Sequence, residues 1–418
     1  MRKSITLALA LSCRVAAGGD AAGGPPARTD PLDASIAKIE AVLAKDPKLA
    51  DGWVALGESL VRKARASGDE LCYARADNCA EKALALAPGD PGALNVRGLV
   101  LIARGRWEDA RDVARQVVAK DPGSAIGFGT LSDALLELGD FTGAVTAIQQ
   151  MIAARPDLAS YARAAYVRWL QGDVTGARED LSRAFGAGPG MRDPDTSAWI
   201  VVEDATFLWH EGQYERALKG FDSALGIAPD FPAALAGKAR ILLHNGDAAG
   251  AAALLSRSEA RRPQAATAAL LSEALSRIGD AAGARAAFEE TRRLGRTDDA
   301  SALALLLCER REPPDVAEAI AIMTDERRKR ADVYTEDAYG WALFRGGRLG
   351  EARACSERAL ALGTRDASLW FHAGAILIAC GETAAGHRLL DAALELCPGF
   401  DQAGAAEAAR LCEASPGR

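Results

Sequence analysis

Ala217-Leu-Lys-Gly-Phe221-Asp-Ser-Ala224-Leu225-Gly-Ile-Ala-Pro229 is the stretch from which the fold can be read. Its apolar residues 217, 221, 224 and 225 recur at the three- and four-residue intervals of one helical face. Pro229 stops the helix, because proline lacks an N–H and its ring clashes with the preceding turn. Gly212 stands five residues before Ala217, where the chain can enter the left-handed conformation that ends a preceding helix. The stretch is therefore the second helix of a helix–turn–helix, with a small residue where the two helices approach.

The same grammar recurs along the chain. Gly105, Gly139, Gly172, Gly212, Gly246, Gly279, Gly347 and Gly381 close first helices, and Ala110, Ala144, Ala177, Ala217, Ala251, Ala284 and Ala352 follow seven of them at the same interval. Pro88, Pro122, Pro156, Pro189, Pro229, Pro263 and Pro398 end second helices, and Leu101, Leu135, Leu208, Leu242, Leu275, Leu343 and Leu377 mark the apolar stripe of the first. Unit starts fall at Ala50, Pro91, Ala125, Leu158, Ala198, Pro232, Ala265, Asp299, Val333 and Ala367. A unit this short cannot bury its apolar face alone, so neighbours stack and the ends need caps. This predicts an all-α solenoid of about twenty helices, with a capping helix over 31–49, ten units over 50–400 and a C-terminal capping helix over 401–418. Two departures stand out, an insertion around Arg65 to Leu71 and another around Gly188 to Asp195. The eighth unit replaces its glycine turn with Glu312-Pro313-Pro314. In the fourth unit Arg168 takes the usual leucine position, which predicts either a slipped helix or an acidic partner.

Trp53-x2-Leu56-Gly57-x2-Leu60 and Ala217-x3-Phe221-x2-Ala224-Leu225-x3-Pro229 are the two halves of the tetratricopeptide repeat pattern, a helix–turn–helix unit of about 34 residues. The chain resembles that family. The resemblance implies a right-handed superhelix whose first helices line a concave groove for a protein or peptide partner. The family's groove positions hold Arg163, Tyr166, Trp169, Trp199, Glu203, Trp209, His210, Arg240 and His244 in the fourth to sixth units. A second cluster is Tyr334, Asp337, Trp341, Phe344, Arg345, Phe371 and His372. Aromatic rings supply stiff apolar area there, and arginines suit the carboxylates or carbonyls of a peptide; the alternative is that the rings pack between helices as core. Relatives that hold chaperone C-terminal peptides use a Lys/Asn/Arg set, which Val54, Glu58, Val96, Ile126 and Thr130 do not restore.

Chemistry is sparse. Of 418 residues 49% are hydrophobic and 26% charged, with a net charge of -7. That excludes wholesale disorder and gives no global pull towards nucleic acid. No apolar run is long enough to cross a membrane. The four histidines, His210, His244, His372 and His387, form no HxxxH or HExxH, and there is no CxxC. P-loop and GxSxG motifs are absent too, so the chain reads as non-catalytic, without metal or cofactor. Cys72 and Cys79 are too far apart along one helix for a disulfide, and Cys308, Cys355 and Cys397 read as small core residues. The run Arg327-Arg328-Lys329-Arg330, with Arg292, Arg293, Arg296, Arg310 and Arg311, reads as solvated helix ends, or else as a docking zone for an acidic partner or anionic lipid.

Residues 1–30 have a basic start, a short apolar run over Ile5 to Leu11, then Ser12-Cys13 and an Ala/Gly/Pro-rich linker. This reads as a signal segment. Ala10-Leu11-Ser12-Cys13 resembles a bacterial lipobox, which implies lipidation of Cys13; cleavage after Val15-Ala16-Ala17 and a plain cytoplasmic tail are the alternatives. The leading expectation is a scaffold in the periplasm or cell envelope, lipid-anchored at Cys13, in an assembly or secretion role. A cytoplasmic adaptor or regulator comes second, and an enzyme with a dispersed groove site third.

Overall fold

The computed structural model describes residues 31–67, 69–188, 193–297 and 299–413; Cys13 and Pro189 lie outside them. Among the described residues all regular structure is helical, in 22 helices. A lone helix α1 (Pro31–Lys45) precedes ten antiparallel pairs: α2 (Ala50–Ser67) with α3 (Glu70–Leu86), α4 (Pro91–Ala103) with α5 (Trp107–Lys120), α6 (Ala125–Glu137) with α7 (Phe141–Ala154), α8 (Leu158–Leu170) with α9 (Val174–Gly186), and α10 (Pro194–His210) with α11 (Tyr214–Ile227). They continue with α12 (Pro232–His244) and α13 (Ala248–Arg261), α14 (Ala265–Arg277) and α15 (Ala281–Gly295), α16 (Ala300–Arg310) and α17 (Pro313–Arg327), α18 (Val333–Arg345) and α19 (Leu349–Leu360), and α20 (Ala367–Ala379) and α21 (Thr383–Leu396). A lone α22 (Gln402–Glu413) ends the series.

Local chemistry explains the boundaries. All eight turn glycines have positive φ. In the eighth unit Arg311 takes the left-handed role at φ 58 without a glycine, and Pro313 and Pro314 open α17. Prolines are tolerated there because the first N–H groups of a helix have no internal partner. Asp140, Asp247 and Asp280 cap second helices through the amides of Gly143, Gly250 and Gly283. The small residue at the helix crossing is fully buried in six pairs, as at Ala110 and Ala217, whereas Ala284 is only half-buried. The insertion in the first unit lengthens α2 and α3 rather than the loop between them. Arg168 has acidic partners, Asp173 at 2.9 Å and Asp180 at 2.8 Å, so no slip of α8 is needed. The basic zone is likewise paired: Arg292 and Arg296 share Glu318, Arg310 meets Asp315, and Arg327 and Arg330 meet Glu336 and Asp332. This leaves little uncompensated charge for a docking zone.

The chain divides into two compact units. The N-terminal unit runs to Arg163 and includes 187–196; the C-terminal unit comprises 164–186 and the residues from Ser197 onward. In the N-terminal unit Leu56, Leu60, Tyr73 and Val100 pack with α1 through Ile36 and Leu43. The C-terminal unit departs from the nearest-neighbour packing of an open solenoid. Its fourth and fifth repeats meet its ninth and tenth. Thr364 Oγ1 donates to the Leu170 carbonyl at 2.7 Å, Arg365 pairs with Glu211 at 2.8 Å, and the Gly399 amide donates to Tyr214 Oη at 2.7 Å. One continuous core accordingly joins Val202, Trp209 and Phe221 to Trp341, Phe371 and Ala408. The array closes into a ring inside this unit.

Candidate functional site

Closure encloses a cavity of about 820 Å³ in the C-terminal unit, walled by first helices and α22. Each first helix turns one stripe inward, and on α10 the stripe is Trp199, Glu203, Thr206 and His210, spaced by three and four residues. Trp169 of α8 is fully buried and stacks on Phe207 with centroids 5.1 Å apart; its indole donates to Tyr334 Oη of α18 at 3.1 Å. Trp341 stacks on His372 at 4.1 Å, and Arg345 lies 4.2 Å over the same indole. His372 Nδ1 sits 2.9 Å from Asp337 Oδ1. These contacts hold the aromatic wall rigid.

The charges divide into spent and unspent. Arg345 and Arg311 both grip Glu407 of α22, at 2.7 and 2.5 Å. Burial pushes the Glu407 carboxyl up, but the two arginines outweigh it and leave it below the usual carboxylate range. His210 is 3.8 Å from Asp366. Glu203 is buried at 7% exposure and makes no ion pair among the described residues. Desolvation pushes it up to about 7, with the Trp199 indole opposing. The Trp199 N–H itself closes no hydrogen bond. Glu309 of α16 is solvent-accessible yet set deep among protein atoms; burial, then Asp401 and Glu273, push it up to about 8 against the pull of Arg345. Glu273 is raised by burial, with Arg277 and Arg240 opposing.

Of the side chains singled out from sequence, Asp337 and Phe344 stand outside this cavity's lining, whereas Tyr166, Trp169, Trp199, Glu203, Trp209, His210, Arg240, His244, Tyr334, Trp341, Arg345, Phe371 and His372 line it. Arg163 does not. It lies in the N-terminal unit, 4% exposed, where its guanidinium holds Asp133 through two hydrogen bonds of 2.8 and 2.7 Å. Nor are the groove residues freely exposed. Trp199, Trp341 and Phe371 are 4%, 3% and 2% exposed, and ring closure packs Trp341 and Phe371 into the core as well as against the cavity. Tyr166, His210, Arg240 and His244 are half-buried. Glu273, Glu309 and Glu407 were missed. Glu273 occupies the ninth position of its unit, a groove position, and could have been found; Glu309 lies within the degenerate eighth unit, whose register is ambiguous. Among the described residues no group of His, Cys, Asp and Glu could hold a metal ion, and no helix is long and apolar enough to cross a membrane. No disulfide joins the seven cysteines among them, and five of the seven are buried.

Comparison with known proteins agrees with the repeat architecture. One tetratricopeptide repeat family model matches residues 101–166 and 208–273, and a second matches 64–125. No curated protein matches the chain. Among solved structures, the human IFIT1 dimer with PPP-AAAA is 16% identical, covering 78% of this chain and 78% of that one at a TM-score of 0.49. A tetratricopeptide repeat protein from Parabacteroides merdae is 17% identical over 61% of this chain and 98% of its own, at 0.34. Pseudomonas aeruginosa pilF is 16% identical over 49% and 91%, at 0.40.

Proposed function

We propose that this chain, which is a tetratricopeptide repeat protein, is a non-catalytic scaffold that takes an extended segment of a partner protein into the cavity of its C-terminal unit. One observation carries this reading: first helices of successive repeats converge their aromatic side chains on a single preformed cavity. Rings fixed by stacking cost little entropy when a ligand arrives, which is what anchor residues of a binding site need. A photo-crosslinking residue at Tyr166, half-buried in the wall, tests it; the same residue at Phe185, exposed on α9 and away from the cavity, is the control. The proposal expects a protease-sensitive adduct from native extracts at Tyr166 only. Equal labelling at both positions, or none at Tyr166, overturns it.

The finer placement is the cell envelope, with an acylated Cys13 as anchor and an assembly or secretion role. Its support is the basic start, short apolar run and Ser12-Cys13 before the linker. Intact mass and detergent partitioning of wild type and Cys13→Ala check it; an unprocessed, water-soluble wild type rules it out. Seven cysteines without a disulfide among the described residues favour the second reading, an adaptor in a reducing compartment.

A further inference from the structure

The cavity carries an imbalance of charge that bears on what enters it. Seven carboxylates line it against four arginines, with no lysine. Two of the arginines, Arg311 and Arg345, are committed to Glu407. Arg410 is turned back on its own helix, to the Ala406 carbonyl, and Arg240 lies beside Glu273. Among the acids Asp299, Asp366 and Asp401 cap α16, α20 and α22 through main-chain amides. Glu203 and Glu309 remain, on opposite sides of the wall in sequence and without an ion pair among the described residues. Removing the Glu203 carboxylate from water without a partner is costly, and a cation placed beside it recovers that cost; Glu309 is exposed but crowded by the like charges of Asp401 and Glu273, and a cation relieves that repulsion. Indole and phenyl faces attract a cation as well, and here they line the same space. The arginines expected to clamp a partner's carboxylates are thus already satisfied from within.

We infer that the admitted segment is cationic, a peptide whose lysine or arginine head meets Glu309 while its aliphatic stem lies along the aromatic wall. The inference rests on the cavity being a peptide site, and reverses the polarity that the arginines in the sequence suggested.

Selection of random octapeptides on the immobilised full-length protein, at mildly alkaline pH, tests it. Selected peptides should be enriched in Lys or Arg, and replacing that residue by norleucine should weaken binding about ten- to a hundredfold, the usual range for a charge-assisted contact. Glu309→Gln, at a solvent-accessible position that folding tolerates, should lose a similar factor with an unchanged circular dichroism spectrum. Glu309→Arg should turn the selection towards Asp and Glu. Enrichment of neutral or acidic peptides, or unaltered affinity in Glu309→Gln, overturns the cationic assignment and leaves the peptide site standing. Absence of any enriched peptide overturns the peptide site itself, and the assignment with it.

Discussion

Glu203 shows how much a single buried group can shape this molecule. Its carboxyl is raised to about 7 by desolvation, against an ordinary value of 4.5. A raised acid binds its proton more tightly in the folded than in the unfolded chain. The resulting penalty is absent below the unfolded value, grows as pH rises through the window from about 4.5 to 7, and is complete above it. Glu203→Gln removes the penalty, so it should stabilise the protein at pH 8 by about 1–3 kcal/mol and change little at pH 4. Urea denaturation at the two pH values checks this, and an equal effect at both would remove burial as the cause. Arg163 and Asp133 are the opposite case, a buried pair in mutual satisfaction. Arg163→Ala leaves Asp133 buried and unpaired and should cost about 3–5 kcal/mol, whereas the double change Arg163→Met with Asp133→Leu should come out near neutral. Thermal melts of the two variants discriminate between these outcomes.

At the scale of the element, two turns do more than end a helix. Gly172 has φ +75 and Gly212 has φ +66; a Cβ there would meet the Gly363 and Leu396 carbonyl oxygens at 2.6 and 2.5 Å. Gly246 has the same kind of backbone, φ +85, and open space around it. Gly246→Ala therefore isolates the cost of the left-handed conformation, about 1 kcal/mol. Gly212→Ala adds a backbone clash at the ring closure and should cost about 1–3 kcal/mol more. Equal losses would show that the close approach contributes nothing. The turns and helices themselves were legible in the sequence, since glycine, alanine and proline recur in phase and each does a local job. Eight turn glycines were readable as equals; what separates Gly172 and Gly212 from the others is a carbonyl some two hundred residues away, which no local pattern encodes.

At the scale of the whole molecule, the same distinction governs the candidate site. Inward-facing aromatics were accessible to sequence because register alone places them, and thirteen of the sixteen side chains named for the groove line one cavity. The ring closure around them was not accessible, because it comes from Thr364, Arg365 and Gly399 reaching Leu170, Glu211 and Tyr214. Nor was the loss of Arg163 to the N-terminal unit, which depends on Asp133 in the preceding repeat. Closure has a measurable signature. In an open array the terminal repeats fray first, but in the C-terminal unit the fourth and fifth repeats are held from both sides. Native-state hydrogen exchange should find the amides of α11 as protected as those of α18, and Gly212→Ala should lower both together.

Ring closure also bears on how such a chain can change over generations. An open row of repeats tolerates duplication or loss of one unit, because each new unit needs only a neighbour. A circle fixes its own copy number: an extra helix pair between Pro232 and Arg327 would carry Thr364 away from the Leu170 carbonyl and Cys397 away from the 3.3 Å contact with the Trp209 carbonyl. Unequal crossing-over within the C-terminal unit should therefore yield chains that fold poorly or reopen, and its lineage should vary by substitution in the cavity wall rather than by counting repeats.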